Sequence, residues 1–351
     1  MKDLRNKIIF FILALSLTGC ALLSPGKEEV LYVEFWMKNR NPQAQSLLDT
    51  IIHLNDIDGS DKIYQYVKKW KKENKVPSIN EKKRRSLRVK DVKESFNLLP
   101  KVIYDVLEKK SERIILASDL GVPIIVLPVY YKNNDQSGRF IIFIDEKINF
   151  RGLNDWYNWR EKTAFMNTKK KNDFKVDAYL SHSNSISDTT HYLMAQAIAL
   201  MISWDKKFFP ENLESNNFYH YPLIKLSWKN KKGVIHSNFD QITKKDFPFI
   251  SFYGQSSRKY SFEKIFEFYQ VLDRSNYVNL YSATGPLKDF VETLTIYIHT
   301  FYFNRPFHLD FYNKDNLLDS FTNCLKEARC LKKNYQSRIL ISEFFSQDSK
   351  Q

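Results

Sequence analysis

Residues 193–202 are apolar but for Gln196, and a chain carrying such a helix must cover it from nearly all directions. Ser187 or Asp188 can cap its start. His191, Tyr192 and Ala195 then fall in its first two turns. A second helix begins at Pro286, a residue suited to the first helical turn, and carries Lys288, Asp289, Phe290 and Glu292. The rest of the chain is organised around this pair.

Short β-branched runs at 114–118, 124–131 and 140–145 read as strands, with 133–138 as a hairpin-type loop. Residues 89–109 predict a helix bent at Pro100, 156–165 a short helix with an aromatic seam, and 262–272 another helix. Residues 172–187 read as a loop and 222–228 as an extended apolar segment. Residues 320–345 read as mostly helical. Nearer the start, 44–54 and 62–72 predict amphipathic helices, with Leu47, Leu48, Ile51 and Ile52 on one face and Ile63, Tyr66, Val67 and Trp70 on the other. Residues 73–88 are charged, contain Pro77 and read as a linker. Helix, hairpin-like strands and helix in succession give an α+β class. The expected organisation is a leader at 1–19, a tether at 20–29, a helical appendage and linker at 30–86, and the main domain at 87–345.

The first residues set the compartment. Lys2, Arg5 and Lys7 precede an apolar run too short to span a bilayer, which reads as a secretory signal peptide. Leu17-Thr18-Gly19-Cys20 resembles a bacterial lipobox. That resemblance implies cleavage before Cys20 and palmitate-type acylation of it, each buried methylene adding roughly 0.8 kcal/mol of anchoring. Ala21 rather than Asp follows, a pattern that implies the outer membrane of the cell envelope. The formal charge of +14 falls by two when residues 1–19 leave with Lys2, Arg5, Lys7 and Asp3. The bases are scattered and the compartment lies outside the cytoplasm, so nucleic acid is not an expected partner.

Cys324 and Cys330 are then the only pair, and the envelope favours disulfides. On a continuous helix their α-carbons would stand about 9 Å apart, too far to bridge. A bond needs a break between them, and nothing in 325–329 forces one, so both states stay open.

The two central helices match, in outline, the halves of a zinc hydrolase site. Such a site needs two His at i and i+4, a Glu beside the first as general base, and a third ligand from a later helix. The order of four pieces is similar to bacterial envelope proteins with zincin-type domains, related in pattern to lethal-factor-like zinc metallopeptidases. The pieces are 152–165, the His191 helix, Leu226-Ser227-Trp228, and the stretch from Tyr281 through Lys288-Asp289-Phe290-Val291-Glu292, within roughly 89–315. The resemblance implies a zincin-like domain whose site is degenerate. His191 matches the first metal ligand, Tyr192 stands at the general base, Ala195 at the second His and Lys288 at the third ligand. Glu292 matches the second acidic position.

Two surviving ligands, His191 and Glu292, make a weak zinc site with no base. The expectation is therefore an inactive metallopeptidase homologue, a pseudoenzyme, without zinc or another cofactor. A Lys288–Glu292 pair, with Tyr192 and His191, would fill the former metal cavity. The former substrate cleft, rich in aromatics, would bind a peptide or protein. A competing class is an active metal-dependent hydrolase rebuilt around His191 and Glu292, with Asp188 and His299. A third is a purely structural lipoprotein. No G-x-S-x-G and no phosphate-binding Gly-rich loop is present.

Overall fold

The computed structural model describes residues 28–38, 46–79, 85–166, 173–240, 250–253 and 260–346. The leader and Cys20 lie outside them.

Helix α1 (Val33–Lys38) places Trp36 in the core, its indole N–H donating to the Val30 carbonyl at 2.8 Å. Leu47–Thr50 makes one 3-10 turn, and strand β1 (Ile51–His53) follows. A helix was expected over 44–54. The same four apolar residues serve a turn followed by a strand, because so short a segment fits either period. Helix α2 (Ser60–Glu73) buries Ile63, Tyr66, Val67 and Trp70, as their spacing predicts. Helices α3 (Val89–Phe96) and α4 (Lys101–Lys110) replace the single bent helix expected there. Pro100 caps α4 instead of kinking it, because the residue before a proline is pushed out of the helical region.

Strands β2 (Ser111–Ala117), β3 (Ile124–Tyr130) and β4 (Gln136–Asp145) complete a sheet of order β1-β2-β4-β3. β1, β2 and β4 run parallel and β3 runs antiparallel to β4 at the edge. Because β1 is a member of this sheet, the described residues between 30 and 86 do not form a separate helical appendage. They supply an edge strand and share one continuous core with the main domain.

Helix α5 (Leu153–Lys162) begins at Gly152, where a β-carbon would sit 1.9 Å from the Asn184 carbonyl oxygen. Strand β5 (Phe174–Tyr179) lies where a loop was expected, and helix α6 (Ile186–Ser203) follows. Strands β6 (Trp228–Lys231) and β7 (Val234–Ser237) form a hairpin. Helix α7 (Lys264–Leu272) leads to α8 (Pro286–Tyr297), which runs on into a π-helical turn, Ile298–Tyr302. Strands β8 (His308–Asn313) and β9 (Asn316–Thr322) pair with β5 in the order β5-β8-β9. Helix α9 (Leu331–Ser346) ends the described chain. The fold is α+β.

Two 3-10 turns, Cys324–Lys326 and Ala328–Cys330, precede α9, with Glu327 extended between them. That break brings the α-carbons of Cys324 and Cys330 to 5.4 Å, and the two are joined by a disulfide. The segment from 320 to 330 is therefore strand and turns, where helix was expected.

Candidate functional site

Helix α6 is buried from Asp188 to Ser203. Its cap is Ser185, whose hydroxyl accepts from the Asp188 N–H at 3.2 Å while Asp188 Oδ2 accepts from the Ser185 N–H at 2.9 Å. This reciprocal arrangement satisfies two otherwise orphaned donors. Neither Ser187 nor Asp188 is the cap residue; Asp188 is the far half of the box.

His191 is 3% exposed, and both ring nitrogens are engaged. Nε2 lies 2.8 Å from the Ser95 carbonyl, and Nδ1 lies 3.0 Å from Nη2 of Arg305. A guanidinium only donates and a carbonyl only accepts, so the ring is neutral with its proton on Nε2. Burial holds its pKa below the usual value, outweighing the Ser95 hydrogen bond, and Arg305 pushes the same way. Arg305 also pairs with Asp188 Oδ1 at 2.7 Å.

Tyr192 points elsewhere. It is fully buried, its ring 5.7 Å from Trp156 and 5.3 Å from His299, and its hydroxyl donates to Glu292 Oε2 at 3.4 Å. Ala195 is fully buried one turn on from His191.

Glu292, on α8, is 0% exposed and is met by Arg160 of α5. Nη1 of Arg160 donates to both carboxylate oxygens, at 3.1 and 3.0 Å, and Asn279 Nδ2 donates at 2.5 Å. Arg160 also reaches Glu161 Oε1 at 3.3 Å and lies 4.1 Å over the Tyr157 ring. Glu161 accepts from the Tyr269 hydroxyl at 2.9 Å, and burial pushes its pKa up. The expected Lys288–Glu292 pair does not form: the counter-ion of Glu292 is Arg160. The ammonium of Lys288 instead lies 5.2 Å from the centre of the Tyr281 ring. Asp289, beside it, pairs with buried Lys333 at 2.5 Å and accepts from the Trp228 indole at 3.2 Å.

The alternative set is not brought together either. Asp188 goes to Arg305, His191 to Ser95 and Arg305, and Glu292 to Arg160. His299 donates from Nε2 to the carbonyls of Leu180 and Pro306, both at 3.0 Å. Burial lowers its pKa to about 4. Among the described residues, no three His, Cys, Asp or Glu side chains cluster as ligands.

Arg160 and Glu161 were missed in the sequence, although a signal was present. Leu153, Trp156, Tyr157, Arg160 and Glu161 occupy one helical stripe, and all five are buried. A charged pair on the core face of an aromatic helix needs partners in the interior.

Beside this sealed network lies an open groove. It holds about 730 Å³ of space, part of it continuous with solvent. Edge strand β3 forms one wall, with Ile124 and Val126, and Trp204 donates its indole N–H to the Val126 carbonyl at 3.2 Å. Gln196 and Leu200 of α6, Leu287, Lys288 and Val291 of α8, and Tyr281 also line it. Comparison of the chain with protein-family models, with curated proteins and with solved structures finds no match.

Proposed function

We propose that the chain is a lipid-anchored envelope protein with a zincin-like domain that has lost its zinc site and its peptidase chemistry. In this reading the groove between β3, α6 and α8 binds a peptide or protein partner. One observation carries the reading. The two positions retained from a metal site are already consumed, His191 by Ser95 and Arg305, and Glu292 by Arg160. A dication at Glu292 would share the carboxylate with a buried guanidinium, and the two cations would repel in a low-dielectric interior.

The packing of α6 against α8 supports the family likeness, because it places Tyr192 beside Glu292, as the order of the motifs implies. The anchor rests on the sequence around Cys20. Among the described residues no helix is long and apolar enough to cross a membrane. The test is metal content and peptidase activity of tag-free protein, beside a His191→Ala variant. We expect sub-stoichiometric zinc and no cleavage by either form. Stoichiometric zinc, or cleavage that His191→Ala abolishes, would overturn the proposal.

A further inference from the structure

We infer that the outer side of helix α9 lies on an anionic phospholipid surface, with Leu331, Tyr335 and Ile339 entering the boundary of the bilayer and Lys332 and Arg338 meeting headgroup phosphates. This rests on the reading of the chain as membrane-anchored, which supplies the bilayer, and names a second contact with it.

Helix α9 is apolar on two sides. Its inward side buries Leu340, Ile341 and Phe344, and that side alone accounts for its place in the fold. Leu331, Tyr335 and Ile339 recur every four residues on the opposite side and are 55%, 52% and 38% exposed. A surface helix ordinarily turns polar residues outward, so this stripe is surplus to folding.

The charge beside the stripe is one-signed. Between 324 and 346 the chain carries Lys326, Arg329, Lys332, Lys333 and Arg338 against Glu327 and Glu343. Both acids are taken, Glu327 by Arg329 and Glu343 by Lys207, and Lys333 is paired with Asp289. Lys326, Lys332 and Arg338 are exposed and make no ion pair among the described residues. The Arg338 guanidinium lies 5.5 Å from the centre of the Tyr335 ring. Basic side chains that run along apolar surface and carry their charge outward suit a helix lying in a headgroup layer.

A protein occupant fits less well. A second copy would bring the same patch to itself, so Lys332 and Arg338 would face like charges. From Leu331 to Ile339 the stripe runs about 12 Å at 1.5 Å per residue. Three side chains over that length cover far less than the roughly 800 Å² per partner of a stable protein interface. A bilayer needs no such area, because an acyl chain on Cys20 keeps the protein beside it. It also supplies phosphate and an apolar layer together.

The experiment uses the full-length chain with Cys20→Ser, which removes the acyl site, and Ser342→Cys, which carries an environment-sensitive dye one turn from Ile339. Cys324 and Cys330 are joined and take no dye. The protein is titrated with vesicles of phosphatidylcholine, alone or with phosphatidylglycerol at three parts to one. Emission should shift to the blue with the anionic vesicles. Lys332→Gln and Arg338→Gln should each weaken the binding about fivefold. Leu331→Ser with Ile339→Ser should weaken it about tenfold or more. Thermal unfolding of each variant checks its fold. No shift with anionic vesicles, or an equal shift with both kinds, would overturn the inference. Flotation with vesicles and no dye shift would place the contact elsewhere in the chain and overturn it too. A shift without vesicles that grows with protein concentration, matched by a dimer in sedimentation, would replace the bilayer with a second copy. An equal shift with soluble polyglutamate would replace it with an acidic protein. Labelled palmitate on the natural chain tests the anchor separately: its absence, with the dye shift retained, would overturn the anchor and leave this contact standing.

Discussion

Arg160 and Glu292 stand 132 residues apart in the chain and meet at 3.0 Å, with no part of either side chain exposed. The guanidinium serves two acids, since Glu161 lies 3.3 Å from its other terminal nitrogen. Truncating it would leave two carboxylates in a dry interior. Arg160→Met should therefore destabilise the fold by about 3–5 kcal/mol, read as a lower urea midpoint with an unchanged slope. The double variant Arg160→Met with Glu292→Gln should recover a large part of that loss, because it removes the orphaned charge. A loss under about 1 kcal/mol for Arg160→Met would show that water reaches the site.

Acid should weaken the fold in two stages. His299 is buried with its pKa lowered to about 4, so the folded state resists its protonation. Its contribution is complete above the unfolded value near 6.5. It declines as pH falls from there towards 4, by about 3 kcal/mol in all. His191, also lowered by burial, adds to the same slope. For Asp188, burial works upward. The Ser181 and Ser183 hydroxyls, the Ser185 N–H and Arg305 outweigh it and hold the pKa to about 2. That contribution is present above the ordinary aspartate value and is lost as pH falls towards 2. Urea titrations at pH 7, 5 and 3.5 should show falling midpoints. A His299→Gln variant should be less stable at pH 7 and lose less between pH 7 and 5. An equal slope in that variant would remove His299 from the account.

The disulfide closes a small loop, and the chain-entropy argument for six intervening bonds gives about 2 kcal/mol. Replacing Cys324 and Cys330 together by Ser should lower stability by about that amount. The two sulfurs are buried beside the backbone carbonyl of Asn276, so reduction should be slow unless the protein unfolds. Thiol titration with and without urea measures this; rapid labelling of the reduced pair in native buffer would contradict it.

The sheet was legible wherever β-branched residues ran together, as in 114–118, 124–131 and 140–145, because burial on both faces demands such runs. The amphipathic helix over 62–72 was legible from its apolar stripe. β1 was not, because three residues carry no period. β5, β8 and β9 were hidden because their polar and apolar residues are mixed on a largely solvated sheet; residues 316–320 of β9 are all exposed, Leu317 and Leu318 included. The break at Glu327 has no Gly or Pro to announce it. At the site, the burial of His191, Tyr192 and Glu292 on two packed helices was legible. The cation that pairs with Glu292 was not. Lys288 is four residues from Glu292 on the same helix and invites a local pair, whereas Arg160 reaches it only through the tertiary fold. Arg305 likewise meets His191 across 114 residues.

The same two arginines bear on whether a zinc motif can be built on these helices. The substitutions Tyr192→Glu, Ala195→His and Lys288→Glu supply its residue types. They leave Arg160 on Glu292 and Arg305 on Nδ1 of His191. They also bring two new carboxylates to the helices that enclose the groove, where Lys288→Glu reverses the sign of the one cation among its described lining residues. A zinc ion there would have to displace the Ser95 carbonyl from His191 Nε2 and compete with a guanidinium that costs nothing further to keep in place. The triple variant should therefore hold zinc no tighter than the natural chain. Adding Arg160→Met to it should raise the affinity, because the uncompensated acid then needs a cation. Competition with a chromophoric chelator compares the three proteins. Equal, tight zinc binding by the triple variant with and without Arg160→Met would mean that Arg160 does not guard the site.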